Sequence, residues 1–146
     1  MNNLVNGIAH TAFNVKNMDR SVSFYEEVLG FKKAFVMNNP KDNKPWIVYM
    51  YVGKDQFLEL FYDAKIEIPY NDANIGFSHI CLAVDDIKTV EQNIVAHGAP
   101  LDSKVSFGMD NNWQCWTRDP DGNRIEVMQM GEKSFQNEFI KHSEDL

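Results

Sequence analysis

A chain of 146 residues, 44% hydrophobic and 12% aromatic, has the composition of an ordinary globular protein and enough length to bury a real core. A formal charge of −7 leaves no basic stripe to neutralise phosphates, which argues against a nucleic-acid partner and against an anionic membrane surface. Cys81 and Cys115 form neither a framework nor a CxxC pair, so two reduced thiols in a cytoplasmic protein are expected.

The opening MNNLVNGIAH lacks the basic and apolar regions of a secretory signal, and no stretch approaches the roughly 18–20 apolar residues of a membrane span. From Gly7 to Val15 the chain alternates, with Ile8, His10, Ala12 and Asn14 on one face, and this predicts a strand. Asn17 or Asp19 then caps a helix with apolar positions at Val22, Phe24, Tyr25, Val28 and Leu29, and Gly30 ends it. Strands are expected over Phe31–Met37, Trp46–Val52 and Gln56–Tyr62, the last two joined by a turn at Gly53-Lys54-Asp55. The stretch 64–75, with Pro69, Asn71, Asp72 and Asn74, reads as a linker between a first module at 5–63 and a second at 76–130.

The second module repeats the order. Phe77–Val84 predicts a strand, Asp85 or Asp86 caps a helix running to about His97, and a weak strand follows near Lys104–Phe107. Trp113–Arg118 and Arg124–Gln129 then form a hairpin around Asp119-Pro120-Asp121-Gly122, where proline pre-sets one φ and glycine accepts a positive one. Residues 131–146 read as a polar, helical tail. The predicted architecture is α+β, two tandem βαβββ units.

Laid over each other, the halves align IAHTAFNV with FSHICLAV and FLEL with RIEV, pairing His10 with His79 and Glu59 with Glu126. Each copy thus carries a histidine on its first strand and a glutamate on its last, at nearly equal separation. In such a module the first and last strands can lie side by side, so each histidine can meet its glutamate. A pseudo-symmetric set of two imidazoles and two carboxylates suits zinc, nickel, cobalt or ferrous iron, not calcium or magnesium, which prefer oxygen shells.

The segments IAHTAFNVKNMDRSVSFYEEVLGF, FLELFY, GFSHICLAVDDI and DPDGNRIEVMQ span most of residues 8–129, and in them the chain resembles the vicinal oxygen chelate superfamily, within it the lactoylglutathione lyase (glyoxalase I) branch. Glutamate at position 59, where other branches have Gln or His, points to that branch. The resemblance implies a curved eight-stranded mixed sheet with one divalent transition metal, Ni2+ or Zn2+, held by His10, Glu59, His79 and Glu126. It implies a homodimer with sites at the interface, and a small-molecule substrate. It also implies catalysis by Glu126 as main base and Glu59 as second carboxylate, through a metal-stabilised enediolate, turning a methylglyoxal-type hemithioacetal into a 2-hydroxyacyl thioester.

Strand alternation places Ala12, Asn14, Phe57, Phe61, Cys81 and Met128 on the ligand faces, and Asn14, Phe57, Phe61, Asp63, Trp116 and Met128 are the candidate substrate contacts. Trp113 and Trp116 fall on opposite faces, so at most one lines the pocket. The family usually grips glutathione with an arginine where this chain has Asn14, an asparagine where it has Asp63, and a lysine in the loop here spanning Val105–Asn112, which has none. Fold and metal are expected to be kept while the glutathione grip is altered. Rival readings are an acyl-CoA epimerase, a ferrous ring-cleaving dioxygenase using His10, His79 and Glu126, and a non-catalytic resistance-type binder. Glu59 as a fourth ligand counts against the dioxygenase, and retention of all four residues counts against the binder.

Overall fold

The computed structural model describes residues 4–5, 7–71, 73 and 75–143, so the linker positions Asp72 and Asn74 and the last residues of the tail lie outside the described part. The chain divides into two compact units between Pro69 and Tyr70. In the first unit the order is β1 (His10–Asn14), α1 (Met18–Ser23) with a π-helical continuation over Phe24–Val28, β2 (Lys32–Asn38), β3 (Pro45–Gly53) and β4 (Gln56–Phe61). In the second it is β5 (Ile80–Ala83), α2 (Ile87–Ala96), β6 (Leu101–Phe107), β7 (Trp113–Arg118), β8 (Arg124–Gln129) and a final α3 (Phe135–Ser143). The fold is α+β, with the two sheets ordered β1-β4-β3-β2 and β5-β8-β7-β6.

Each sheet is mixed for the same reason. β1 runs parallel to β4, and β5 parallel to β8, while the remaining pairings are antiparallel. A parallel pair needs a long crossover, supplied here by the helix and the intervening hairpin.

The helices are cut where the sequence predicts. The Asn17 side chain accepts a hydrogen bond from the Arg20 N–H, and Asp86 accepts from the Lys88 and Thr89 N–H groups and from the Thr89 hydroxyl. Gly30 and Gly98 leave the helices at φ +73° and +65°, in the left-handed region that favours glycine. The π-helical turn buries Phe24, Tyr25 and Val28 together, with Tyr25 stacked on Phe31 at 5.6 Å between ring centroids.

Cores form on one face of each sheet. Phe13, Val15, Val48, Met50, Leu58 and Leu60 are buried with Met18 and Tyr25 in the first unit; Cys115, Thr117, Ile125 and Val127 are buried with Ile87 and Ile94 in the second. Where the strands differ from expectation by more than one residue, the shift is at their starts. β1 begins at His10 and β5 at Ile80, so His79 sits just ahead of its strand, whereas β6 begins earlier, at Leu101.

The β7–β8 turn is held by one carboxylate. Asp119 is 3% exposed, its Oδ1 accepts from the Asp121 and Asn123 backbone N–H groups at 2.9 and 2.8 Å, and its Oδ2 accepts from the Asn123 amide at 2.8 Å. Gly122 leaves the turn at φ +85°. Asp119→Ala strands three donors beside a buried site, and it is expected to lower stability by about 2–3 kcal/mol. Urea unfolding measures this; a midpoint equal to wild type would show that the turn does not depend on the carboxylate.

Candidate metal centre

Two facts of strand geometry place the histidines and glutamates. Burial of Leu58 and Leu60 on the core face of β4 turns Glu59 to the other face, together with Phe57 and Phe61; burial of Ile125 and Val127 does the same for Glu126, Arg124 and Met128 on β8. The parallel neighbour then delivers the histidine. His10 Nδ1 lies 3.5 Å from Glu59 Oε1 in the first unit, and His79 Nε2 lies 3.1 Å from Glu126 Oε2 in the second.

The glutamates are the covered members. The Glu59 side chain is 8% exposed and that of Glu126 15%, against 52% and 31% for His10 and His79. A buried carboxylate needs donors. Tyr49, directly opposite Glu59 across the β3–β4 ladder, supplies one, and burial followed by this hydrogen bond and the carboxylate's charge raises its phenol above the usual tyrosine range. Tyr49 is itself stacked on Phe35 at 4.4 Å.

The donor chemistry and spacing fit a borderline divalent ion. Two ligand atoms that each sit 2.0–2.1 Å from one ion at tetrahedral or octahedral angles are about 2.8–3.4 Å apart. The two imidazole–carboxylate pairs have that separation to within a few tenths of an ångström. Among the described residues no group of three or more His, Cys, Asp or Glu gathers as a site; each unit presents a pair.

The other sequence candidates fall around these pairs. Phe57 and Phe61 are half-buried beside Glu59, Phe57 against Tyr51 at 5.5 Å and Phe61 edge-on to Trp46 at 5.8 Å. Asn14 and Asp63 are exposed near the ends of β1 and β4, and Asp63 adopts φ +69°. Trp116 stands opposite Glu126 in register and packs edge-on against His79 at 4.8 Å; Met128 is half-buried two residues along β8. Trp113 is on the opposite face of β7. Among the described residues no helix is long and apolar enough to cross a membrane.

Sequence reasoning missed Tyr49, whose signal was present: it is found by counting back through the β3–β4 turn, allowing for the bulge at Gly53. It also missed Ser78 and Tyr70. Ser78 Oγ is 3.1 Å from His79 Nδ1 and 3.5 Å from the Tyr70 hydroxyl.

Compared with known families, residues 7–127 match the Glyoxalase/Bleomycin resistance protein/Dioxygenase superfamily. The chain belongs to that superfamily. Over 129 residues it is 29% identical to a probable lactoylglutathione lyase of Vibrio parahaemolyticus, covering 84% of this chain and 89% of the other. A lactoylglutathione lyase of Haemophilus influenzae is 26% identical, with 84% of this chain and 91% of that one covered. Among solved structures, the trypanothione-dependent glyoxalase I of Leishmania major superposes with a TM-score of 0.69 at 25% identity, covering 97% of this chain and 94% of that one.

One neighbour of Glu126 has a local consequence. Cys81 pairs in register with Glu126, and although its surface is exposed, the crowding of its sulfur is the leading cause that pushes its thiol up to about 12, followed by the charge and hydrogen bond of Glu126. Raised this far, the group stays a thiol through pH 8, and thiolate is the reactive form. Iodoacetamide is therefore expected to label Cys81 at pH 8 far more slowly than a free cysteine. Glu126→Gln removes the charge but not the crowding, so labelling should quicken. Mass spectrometry of the Cys81 peptide checks both, and equal rates in the two proteins would contradict the contact.

Proposed function

We propose that this protein is a metal-dependent lyase of the glyoxalase I type, isomerising the hemithioacetal of a 2-oxoaldehyde to a 2-hydroxyacyl thioester. The observation that supports it is the pairing of His10 with Glu59 and of His79 with Glu126 at the spacing of shared metal ligands. These four residues would hold one Ni2+ or Zn2+, with the ligand set completed across a homodimer. Bound there, the ion would act as a Lewis acid toward the two neighbouring substrate oxygens.

The proton work belongs to the chain. Glu126 takes the proton from the carbon that bears sulfur and hydroxyl, and returns it to the adjacent carbonyl carbon, while the hydroxyl proton passes to the former carbonyl oxygen. No atom is gained or lost and no oxidant is needed. Glu59, buried and held by Tyr49, is the second carboxylate and serves the opposite face of the substrate. Phe57, Phe61, Trp116 and Met128 supply apolar wall around the two pairs.

The thiol carrier is where this chain parts from relatives named for glutathione. Asn14 offers no positive charge, and Asp63 is an anion that would repel a nearby carboxylate by about 1 kcal/mol at 4 Å in water. The Leishmania major relative is described as trypanothione-dependent, so the thiol differs within the family. We assign this protein a 2-oxoaldehyde substrate with a thiol partner other than glutathione.

Two outcomes test the reading. Treatment with EDTA should abolish isomerisation of methylglyoxal–thiol adducts, and Ni2+ or Zn2+ should restore it; activity that survives complete metal removal would overturn the metal role. Glu126→Gln should lower kcat about 100- to 10,000-fold with a smaller change in metal content. Purified protein that retains no stoichiometric metal and isomerises no adduct would point instead to a non-catalytic binder.

A further inference from the structure

His79 occupies an awkward position for a ligand. It precedes β5, whose ladder starts at Ile80, so backbone pairing within the strand does not fix its side chain. What fixes it is a ring of contacts. Ser78 Oγ meets His79 Nδ1 at 3.1 Å, His79 packs edge-on against Trp116 at 4.8 Å, and Trp116 carries the Arg124 guanidinium 4.6 Å from its centroid. Arg124 in turn lies 4.7 Å from the Tyr70 ring, and the Tyr70 hydroxyl is 3.5 Å from the same Ser78 Oγ. The ring closes on itself within one unit.

The first copy of the repeat has no equivalent of the hydroxyl. Ala9 stands where Ser78 does, and the His10 side chain is 52% exposed against 31% for His79. The two imidazoles are therefore supported differently.

We infer that Ser78 is a positioning residue for His79, whose hydroxyl serves both tautomers of the imidazole and keeps Nε2 aimed at Glu126 and at the metal. The inference rests on the metal reading above. A carboxylate only accepts, so without an ion the neutral ring that meets Glu126 Oε2 at 3.1 Å carries its proton on Nε2, which leaves Nδ1 to accept from the Ser78 hydroxyl. Ligation takes the Nε2 lone pair, so the ring proton must sit on Nδ1, where Ser78 Oγ accepts it. A hydroxyl can reverse its role in this way; a carbonyl or an ammonium cannot. Support of this kind at the second nitrogen of a ligating histidine typically governs metal affinity by 10- to 100-fold.

The test compares wild type, Ser78→Ala and Ser78→Thr by competition for Ni2+ against a chromophoric chelator, with circular dichroism to confirm folding. Ser78→Ala should weaken Ni2+ binding about 10- to 100-fold, and Ser78→Thr, which keeps the hydroxyl, should stay within about threefold of wild type. Nitrogen-15 NMR of the histidine rings should show His79 protonated at Nε2 in the metal-free protein and at Nδ1 after loading with Zn2+. Equal Ni2+ affinity in wild type and Ser78→Ala overturns the inference and leaves the metal reading standing. Wild type that binds no Ni2+ brings down the metal reading and the inference with it. If Ser78→Thr is as weak as Ser78→Ala, the hydroxyl is not the group that matters and the inference fails.

Discussion

The alternation of side chains along β4 and β8 is the constraint on which the rest depends. Leu58 and Leu60, and Ile125 and Val127, are each 0–1% exposed, and their burial commits the residues between them to the opposite face. A slip of one residue in either strand would send a carboxylate into an apolar core and an aliphatic side chain to the ligand face. The hydrophobic pattern of the core strands is in this sense also the specification of the chemistry. Helices and turns then act to prevent the slip: Asp119 pins the β7–β8 register by holding three donors, and the Gly53 bulge sets that of β3–β4.

Burial also shapes the electrostatics. Glu59 is the most enclosed carboxylate of the two pairs, and Tyr49 answers it from the neighbouring strand, so this glutamate is oriented before any ion or substrate arrives. Glu126 is less covered and contacts both His79 and the Cys81 thiol. The duplicated pairs therefore share a plan and differ in surroundings.

Much of this was legible in the residues. The bounds of β7 and β8 follow from DPDG and strict alternation, and the caps at Asn17 and Asp86 were each one of two candidates, with Asp19 and Asp85 the others. The pairing of His10 with Glu59 and of His79 with Glu126 was readable because duplication made each copy evidence for the other. What escaped has physical causes. The π-helical turn after Ser23 departs from the 3.6-residue period that identifies helices. Tyr49 faces Glu59 only once a bulge is counted into the hairpin. Ser78 touches His79 through a side-chain direction that adjacency along the chain does not encode.

The parallel pairing of β1 with β4, and of β5 with β8, carries a consequence for how the molecule comes into being. Each first strand must wait for a partner more than forty residues downstream, so its closure is entropically costly and follows the formation of the local hairpins. The histidines ride on or beside those late strands. A nascent or refolding chain will thus display its glutamates before its imidazoles reach them, and the contact that joins imidazole to carboxylate is the closing step of each unit.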